Sequence, residues 1–233
     1  MRADCKVLRG EGPAYNVAGF QEPRRSEGVR KGKRRPLEEL APYLLELPTP
    51  GARLDWGAVF GNDQPVELEV GFGKGAFLVA RAPQEPDVNF VGIEIDRGLQ
   101  LHVANRLVKR GLRNVRLIRG DALAVLREFI FDSSLRAVHV YFPDPWWKRR
   151  HRKRRLFTSE FAGQCERVLM PGGRLFIATD VEEYYGVIKA ALASGTTLRP
   201  GVEAPGPDVP ETNFERKARL AGQGVWRGIF VRG

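Results

Sequence analysis

Val66-Glu-Leu-Glu69-Val-Gly71-Phe-Gly73-Lys-Gly75 joins a short strand-type run to three glycines at alternate positions, and a helical pattern begins at once with Ala76. A strand that ends in a glycine loop and opens a helix is the first unit of an α/β sheet, and that loop is where such sheets hold a nucleotide-type cofactor. The spacing narrows the cofactor. The third glycine arrives one residue early for the G-x-G-x-x-G dinucleotide pattern, and no Gly-Lys-Ser/Thr follows for a P-loop. Glu69, two residues before the turn, repels a pyrophosphate and welcomes a cationic amine.

Outward from this unit the chain alternates. Strand patterns over 66–70, 89–95, 114–119, 137–142 and 174–178 are followed by helical ones over 76–82, 97–110, 122–129, 159–169 and 181–193. Five such units predict an open, mostly parallel sheet with helices on both faces. Leu99, Val103 and Leu107 form the expected buried stripe of the second helix. A Pro- and Gly-rich stretch over 199–210 breaks the pattern, and 224–232 reads as a last, antiparallel strand at one side of the sheet. Before the first unit, Pro36, Leu37, Leu40, Leu44 and Leu47 predict a short amphipathic helix despite Pro42, with a packing role. Residues 1–35 are polar and end in a cluster of Arg24, Arg25, Arg30, Lys31, Lys33, Arg34 and Arg35, which reads as a basic arm. The organisation expected is an arm and short helix over 1–60 and one domain over 61–233.

The 233 residues suffice for one substantial core, and the net charge of +10 favours a polyanionic partner, nucleic acid first. Cys5 and Cys165 are too few for a disulfide framework or a metal cluster, so no metal is expected. The first residues carry no apolar signal core and no stretch is apolar enough to span a bilayer. A cytoplasmic protein without membrane association is the expectation.

Three further carboxylates follow strand ends. Glu94 closes the second strand about 20 residues beyond the glycines, where ribose hydroxyls are bound. Asp121 follows the third strand, within reach of an adenine amino group, although Asp there also makes an ordinary helix N-cap. Asp144 stands in Phe142-Pro-Asp144-Pro-Trp-Trp-Lys-Arg-Arg-His-Arg-Lys-Arg-Arg155, just past the fourth strand. The flanking prolines restrict the backbone around Asp144, the tryptophans offer faces for stacking, and the seven Lys and Arg from Lys148 to Arg155 neutralise phosphates. A basic run alone is more often a solvated surface or a localisation tag; its place beyond a buried strand argues for a site. Amine, ribose and adenine partners on successive strand ends describe S-adenosylmethionine better than NAD or ATP.

Over about residues 60–231 these motifs resemble the bacterial tRNA (guanine-N7)-methyltransferase family, class I enzymes with a Rossmann-like, mostly parallel seven-stranded sheet and helices on both faces. Glu69-Val-Gly-Phe-Gly-Lys-Gly75, Gly92-Ile-Glu-Ile95, Gly120-Asp-Ala122, Phe142-Pro-Asp-Pro-Trp146 with Lys148, Arg149 and His151, Ala178-Thr-Asp180 and Thr212-Asn-Phe-Glu215 carry the resemblance. It implies S-adenosylmethionine held by Glu69, Gly71, Gly73, Gly75, Glu94, Asp121 and Asp144, with Asp144 as the catalytic residue. It also implies a tRNA substrate held by Lys148, Asp180, Thr212, Asn213, Phe214 and Glu215, and methylation of guanine 46 in the variable loop; separately, a monomer or homodimer is expected. Val209-Pro210 in place of Arg-Pro, Trp147, and Lys217-Ala218 in place of an Arg-Gly-like pair depart from the family pattern. The competing readings are a class I methyltransferase acting on another RNA, a protein or a small molecule, and a non-catalytic RNA-binding protein on the same fold. The glycine spacing and Glu69 disfavour an NAD oxidoreductase.

Overall fold

A computed structural model describes residues 35–146, 155–201 and 224–233. In chain order the elements are α1 (Leu37–Leu40), a 3-10 turn (Ala41–Tyr43), β1 (Leu44–Leu45), α2 (Trp56–Phe60), β2 (Val66–Val70), α3 (Ala76–Arg81), β3 (Asn89–Glu94) and α4 (Arg97–Arg110). There follow β4 (Val115–Arg119), α5 (Ala122–Phe129), β5 (Leu135–Tyr141), α6 (Ser159–Val168), β6 (Leu169–Thr179), α7 (Glu182–Gly195), β7 (Arg199–Pro200) and β8 (Trp226–Val231). The strands form one sheet in the order β1-β4-β3-β2-β5-β6-β8-β7, parallel except where β8 runs against β6 and β7.

The alternation of strands and helices read from the sequence is present, and the five predicted units stand within two residues of their expected limits, except that β6 begins at Leu169, five residues before the expected 174. Local chemistry explains their sharp boundaries. Asp96 and Asp121 each accept the amide hydrogen three residues on, at 3.0 and 2.9 Å, and so start α4 and α5. Gly111, at φ 65°, ends α4 in the left-handed conformation. Asn89 to Glu94 and Val115 to Arg119 pair in register on one side of β2, while β5 and then β6 extend the other.

Eight strands occur among the described residues, one more than the seven expected. Six of the eight fall where the sequence shows strand patterns; the two unread there are the two-residue β7 and the two-residue β1, which pairs with the outer edge of β4. β1 lies where the sequence predicts helix. Pro42 has no amide hydrogen and its ring obstructs the preceding turn, so α1 stops at Leu40, tightens through a 3-10 turn and extends into β1. Leu40 and Tyr43 are nonetheless buried, which is the packing role expected of this segment. β8 is the antiparallel strand expected at one side of the sheet, and the short β7 pairs along its outer side.

Two hydrophobic layers cover the sheet. Leu40, Phe72, Phe77, Phe90, Val103 and Leu107 belong to the layer under α1, α3 and α4, and Leu68, Val125, Phe161, Tyr184 and Ile188 to the layer under α5, α6 and α7. The buried stripe of α4 is Gln100, Val103, Ala104 and Leu107; Leu99 is only half-buried. The helix is rotated relative to the apolar pattern because Gln100 reaches inward and donates to the Leu117 carbonyl at 3.0 Å.

Gly75 fixes how closely α3 approaches α4. Its φ of +67° is one that L residues rarely adopt, and a Cβ there meets both methyls of Val103 at 2.7 Å. Gly75→Ala is expected to destabilise the protein by about 2–5 kcal/mol, the sum of the left-handed backbone cost and overpacking, read as a lower urea midpoint. Adding Val103→Ala relieves the overlap but removes two buried methyls, so the double variant should lose less stability than the sum of the two single changes.

Candidate active site

The chain winds outward from β2 through β3 to β4 and then crosses to β5 and β6, so the carboxyl ends of β2 and β5 flank the point where the strand order reverses. In open α/β sheets ligands bind in the crevice there. The loop 71–75, Glu94, Asp121, Asp144 and Asp180 follow or close β2, β3, β4, β5 and β6 respectively, which brings all these predicted site residues to one edge of the sheet.

Backbone hydrogen bonds hold the glycine loop. Gly71 donates to the Ile93 carbonyl at 2.8 Å and Gly75 to that of Phe72 at 2.7 Å. Gly71, Gly73 and Gly75 all have positive φ, from 52° to 71°, so a side chain at any of them is strained. The Gly73 amide donates to one Glu94 oxygen at 3.0 Å, while the other oxygen accepts from Ile95 at 2.8 Å and Asp96 at 3.1 Å. Glu94 is thus aimed by two loops at once.

Glu69 is buried at the centre of the sheet, opposite Gly92 of β3 and His139 of β5. Its Oε2 has no hydrogen-bond partner among the described residues. Burial pushes its carboxyl up to about 8; the Leu78 amide opposes that rise and the negative charge of Glu94 adds to it. A buried carboxyl with an unused oxygen beside a cofactor-type loop is suited to a cationic amine, because such a ligand removes the reason for the group to stay neutral. The residues present therefore fit the amino, ribose and loop contacts of S-adenosylmethionine.

Asp144 lies three residues beyond β5 on an unusual backbone. Phe142 and Trp146 have φ of 51° and 41°, a region in which bulky L residues are strained. The loop is tied down by the Phe142 amide on the Ala178 carbonyl at 2.7 Å and by Arg155 Nε on the Pro145 carbonyl at 2.8 Å. The guanidinium of Arg155 also lies 5.7 Å from the centre of the Tyr184 ring. Asp144 is exposed, yet partial desolvation by its surroundings raises its carboxyl above the ordinary value. Its negative charge is felt by the Tyr184 hydroxyl.

The remaining carboxylates differ in what they are free to do. Asp121 commits Oδ1 to capping α5, as the simpler reading of that residue predicts. Asp180 is half-buried and caps nothing, because α7 starts from Val181, whose amide bonds Thr179 Oγ1 at 3.3 Å. Lys148, Thr212, Asn213, Phe214 and Glu215, with most of the basic block, lie outside the described residues.

One polar chain in this region escapes the sequence reading. Arg136 donates to Glu67 Oε1 at 2.7 and 2.9 Å, and His139 Nε2 lies 3.0 Å from Glu67 Oε2. Nδ1 of the same imidazole lies 2.9 Å from the Tyr141 hydroxyl, and its ring stacks on Phe176 at 4.8 Å. Burial alone would raise the Glu67 carboxyl, but His139 and Arg136 together lower it to about 2. The available signal is two charged residues, Glu67 and Arg136, on adjacent inner strands.

The sheet order, the glycine loop and the carboxylates on successive strand ends place the chain among the Rossmann-like methyltransferases. A family described as putative methyltransferase matches residues 63–228. The fold is also that of the aminoglycoside resistance methyltransferase NpmB1, at a TM-score of 0.52 and 20% identity over 72% of this chain and 87% of that one. A SAM dependent methyltransferase from Aquifex aeolicus gives 0.52 and 15% over 75% and 86%. The chain belongs to the tRNA (guanine-N(7)-)-methyltransferase family. It is 37% identical over 209 residues to the member from Paraburkholderia xenovorans (strain LB400), covering 88% of this chain and 80% of the relative. With the member from Hydrogenovibrio crunogenus (strain DSM 25203 / XCL-2) identity is 39% over 184 residues, 77% of each chain. No helix among the described residues is long and apolar enough to cross a membrane, and no group of three or more His, Cys, Asp or Glu there can hold a metal ion.

Proposed function

We propose that this protein transfers a methyl group from S-adenosylmethionine to N7 of guanine 46 in the variable loop of tRNA, acting in the cytoplasm through a domain over 61–233. The observation that carries the reading is the buried Glu69 oxygen without a partner beside the glycine loop, in a chain whose relatives are named for this reaction. When bound, S-adenosylmethionine supplies an electrophilic methyl group on a sulfonium. Glu69 accepts from the cationic amine, Glu94 from the ribose hydroxyls, and Asp121 from the adenine side through the oxygen its cap leaves unused.

Guanine N7 already presents an in-plane lone pair, so no proton is removed before attack and no general base is required. As the N7–C bond forms and the C–S bond breaks, positive charge moves onto the purine. Asp144, just past β5, accepts from guanine N1–H or the exocyclic amine and offsets that charge. Asp180 and Thr212 to Glu215 hold the same nucleotide, and Lys148 an adjoining phosphate. Reaching N7 in a folded RNA favours a loop nucleotide drawn from its stack.

The test is incubation of the full chain with unmodified tRNA transcripts and methyl-labelled S-adenosylmethionine, then nuclease digestion and nucleoside mass analysis. The expected product is 7-methylguanosine at one variable-loop position. Label absent from RNA, with the cofactor still bound, overturns the proposal.

A further inference from the structure

The outer face of α4 next to the glycine loop carries a row of basic side chains. His102, Arg106, Lys109 and Arg110 recur at helical spacing on this face, and Arg106 donates a hydrogen bond to the carbonyl of Lys74, between Gly73 and Gly75. Among the described residues none of these side chains forms an ion pair, whereas Arg35, Arg53, Arg127, Arg136 and Arg167 each have an acidic partner. Burial and the positive charges of Arg106, Lys74 and Lys109 lower the affinity of His102 for a proton, and burial and Arg110 act likewise on Arg106. Like charges at this spacing destabilise a helix, so an external anion is the natural complement.

A cavity of about 420 Å³ opens beside them between α3 and α4, with Ala76, Val79, Pro83 and Leu112 in its walls and Arg106 and Arg110 at its polar side. From His102, which burial and its cationic neighbours keep neutral as a donor, to Arg110 the stripe extends about 12 Å along the helix axis, farther than one phosphate group reaches. Lys74 joins this stripe to the edge of the sheet where the candidate active site lies. We infer that Lys74, His102, Arg106, Lys109 and Arg110 form a second tRNA-binding surface, which takes consecutive phosphates of the tRNA body while the reacting guanine occupies the site at Asp144.

The inference rests on the tRNA reading above, and its test separates the two. In Lys109→Gln/Arg110→Gln, which alters two exposed side chains, KM for tRNA should rise about tenfold with kcat and cofactor affinity unchanged. The salt dependence of tRNA binding should flatten by about two in log–log slope. Lys109→Arg/Arg110→Lys should restore both values. Arg174→Gln/Arg199→Gln removes the same charge from exposed positions on β6 and β7 and should leave the slope unchanged. A slope unaltered in the first variant, or altered equally in the control, overturns the surface. Direct tRNA-binding titrations give this readout even if no methyl transfer occurs, which alone would fail the catalytic reading.

Discussion

Asp144→Ala is expected to lower kcat for tRNA methylation by about 10²–10³-fold while leaving the thermal midpoint and cofactor affinity largely intact. The separation follows from position. Asp144 is exposed beyond β5 and contributes no hydrogen bond to the described scaffold, so its loss removes little packing. Its proposed action is on charge that develops only as the purine becomes cationic, and such an interaction appears in kcat. Asp144→Asn keeps an acceptor but not the charge, so its rate should fall between those of the alanine variant and the parent. Because desolvation raises the Asp144 carboxyl, activity should decline on the acid side at a higher pH than an ordinary aspartate would give. Normal turnover in the alanine variant removes Asp144 from the reaction.

The second large effect concerns Glu69. Glu69→Gln should weaken S-adenosylmethionine binding about 10–100-fold, in line with the loss of a charge-assisted hydrogen bond. The parent carboxyl titrates at about 8 when free, and a bound ammonium lowers that value. Binding therefore releases a proton, affinity rises with pH towards about 8, above which the ligand's own ammonium deprotonates, and the glutamine variant lacks this rise. Stability follows the opposite direction. The folded value lies above the ordinary 4.5, so this group's contribution is complete below 4.5 and is lost as pH rises through about 8. The variant should therefore melt higher than the parent at pH 8 without cofactor, although it binds worse. Calorimetric titrations at several pH values and thermal melts check both halves; a parent affinity independent of pH excludes the linkage.

The sequence shows the fold most clearly where boundary chemistry is local. Asp96, Gly111 and Asp121 mark α4 and α5 because each acts within one turn of itself. It shows β1 and β7 least, since two-residue strands have no period to read and exist only by pairing with β4 and β8. The helix expected across Pro42 fails because a regular spacing of leucines does not register the missing amide. At the site, Glu69 before the glycine loop, Glu94 at the end of its strand and Asp144 just past its strand are legible from their positions, whereas Asp180 is singled out by the family resemblance alone. The contact of Glu94 with Gly73 is not legible, because it spans 21 residues and depends on β2 lying beside β3. The Glu67, His139 and Arg136 chain is hidden for a related reason: polar residues alternating in a strand suggest a wet face, whereas α3 covers this one, with Phe77 4.5 Å from the His139 ring.

The three amide hydrogens on Glu94 make that side chain a stitch between the glycine loop and the turn after β3. In the proposed cofactor site, a ribose that hydrogen-bonds this carboxylate engages both loops through one residue. The same stitch pre-orients the carboxylate, so little side-chain freedom remains to be lost when a ligand arrives.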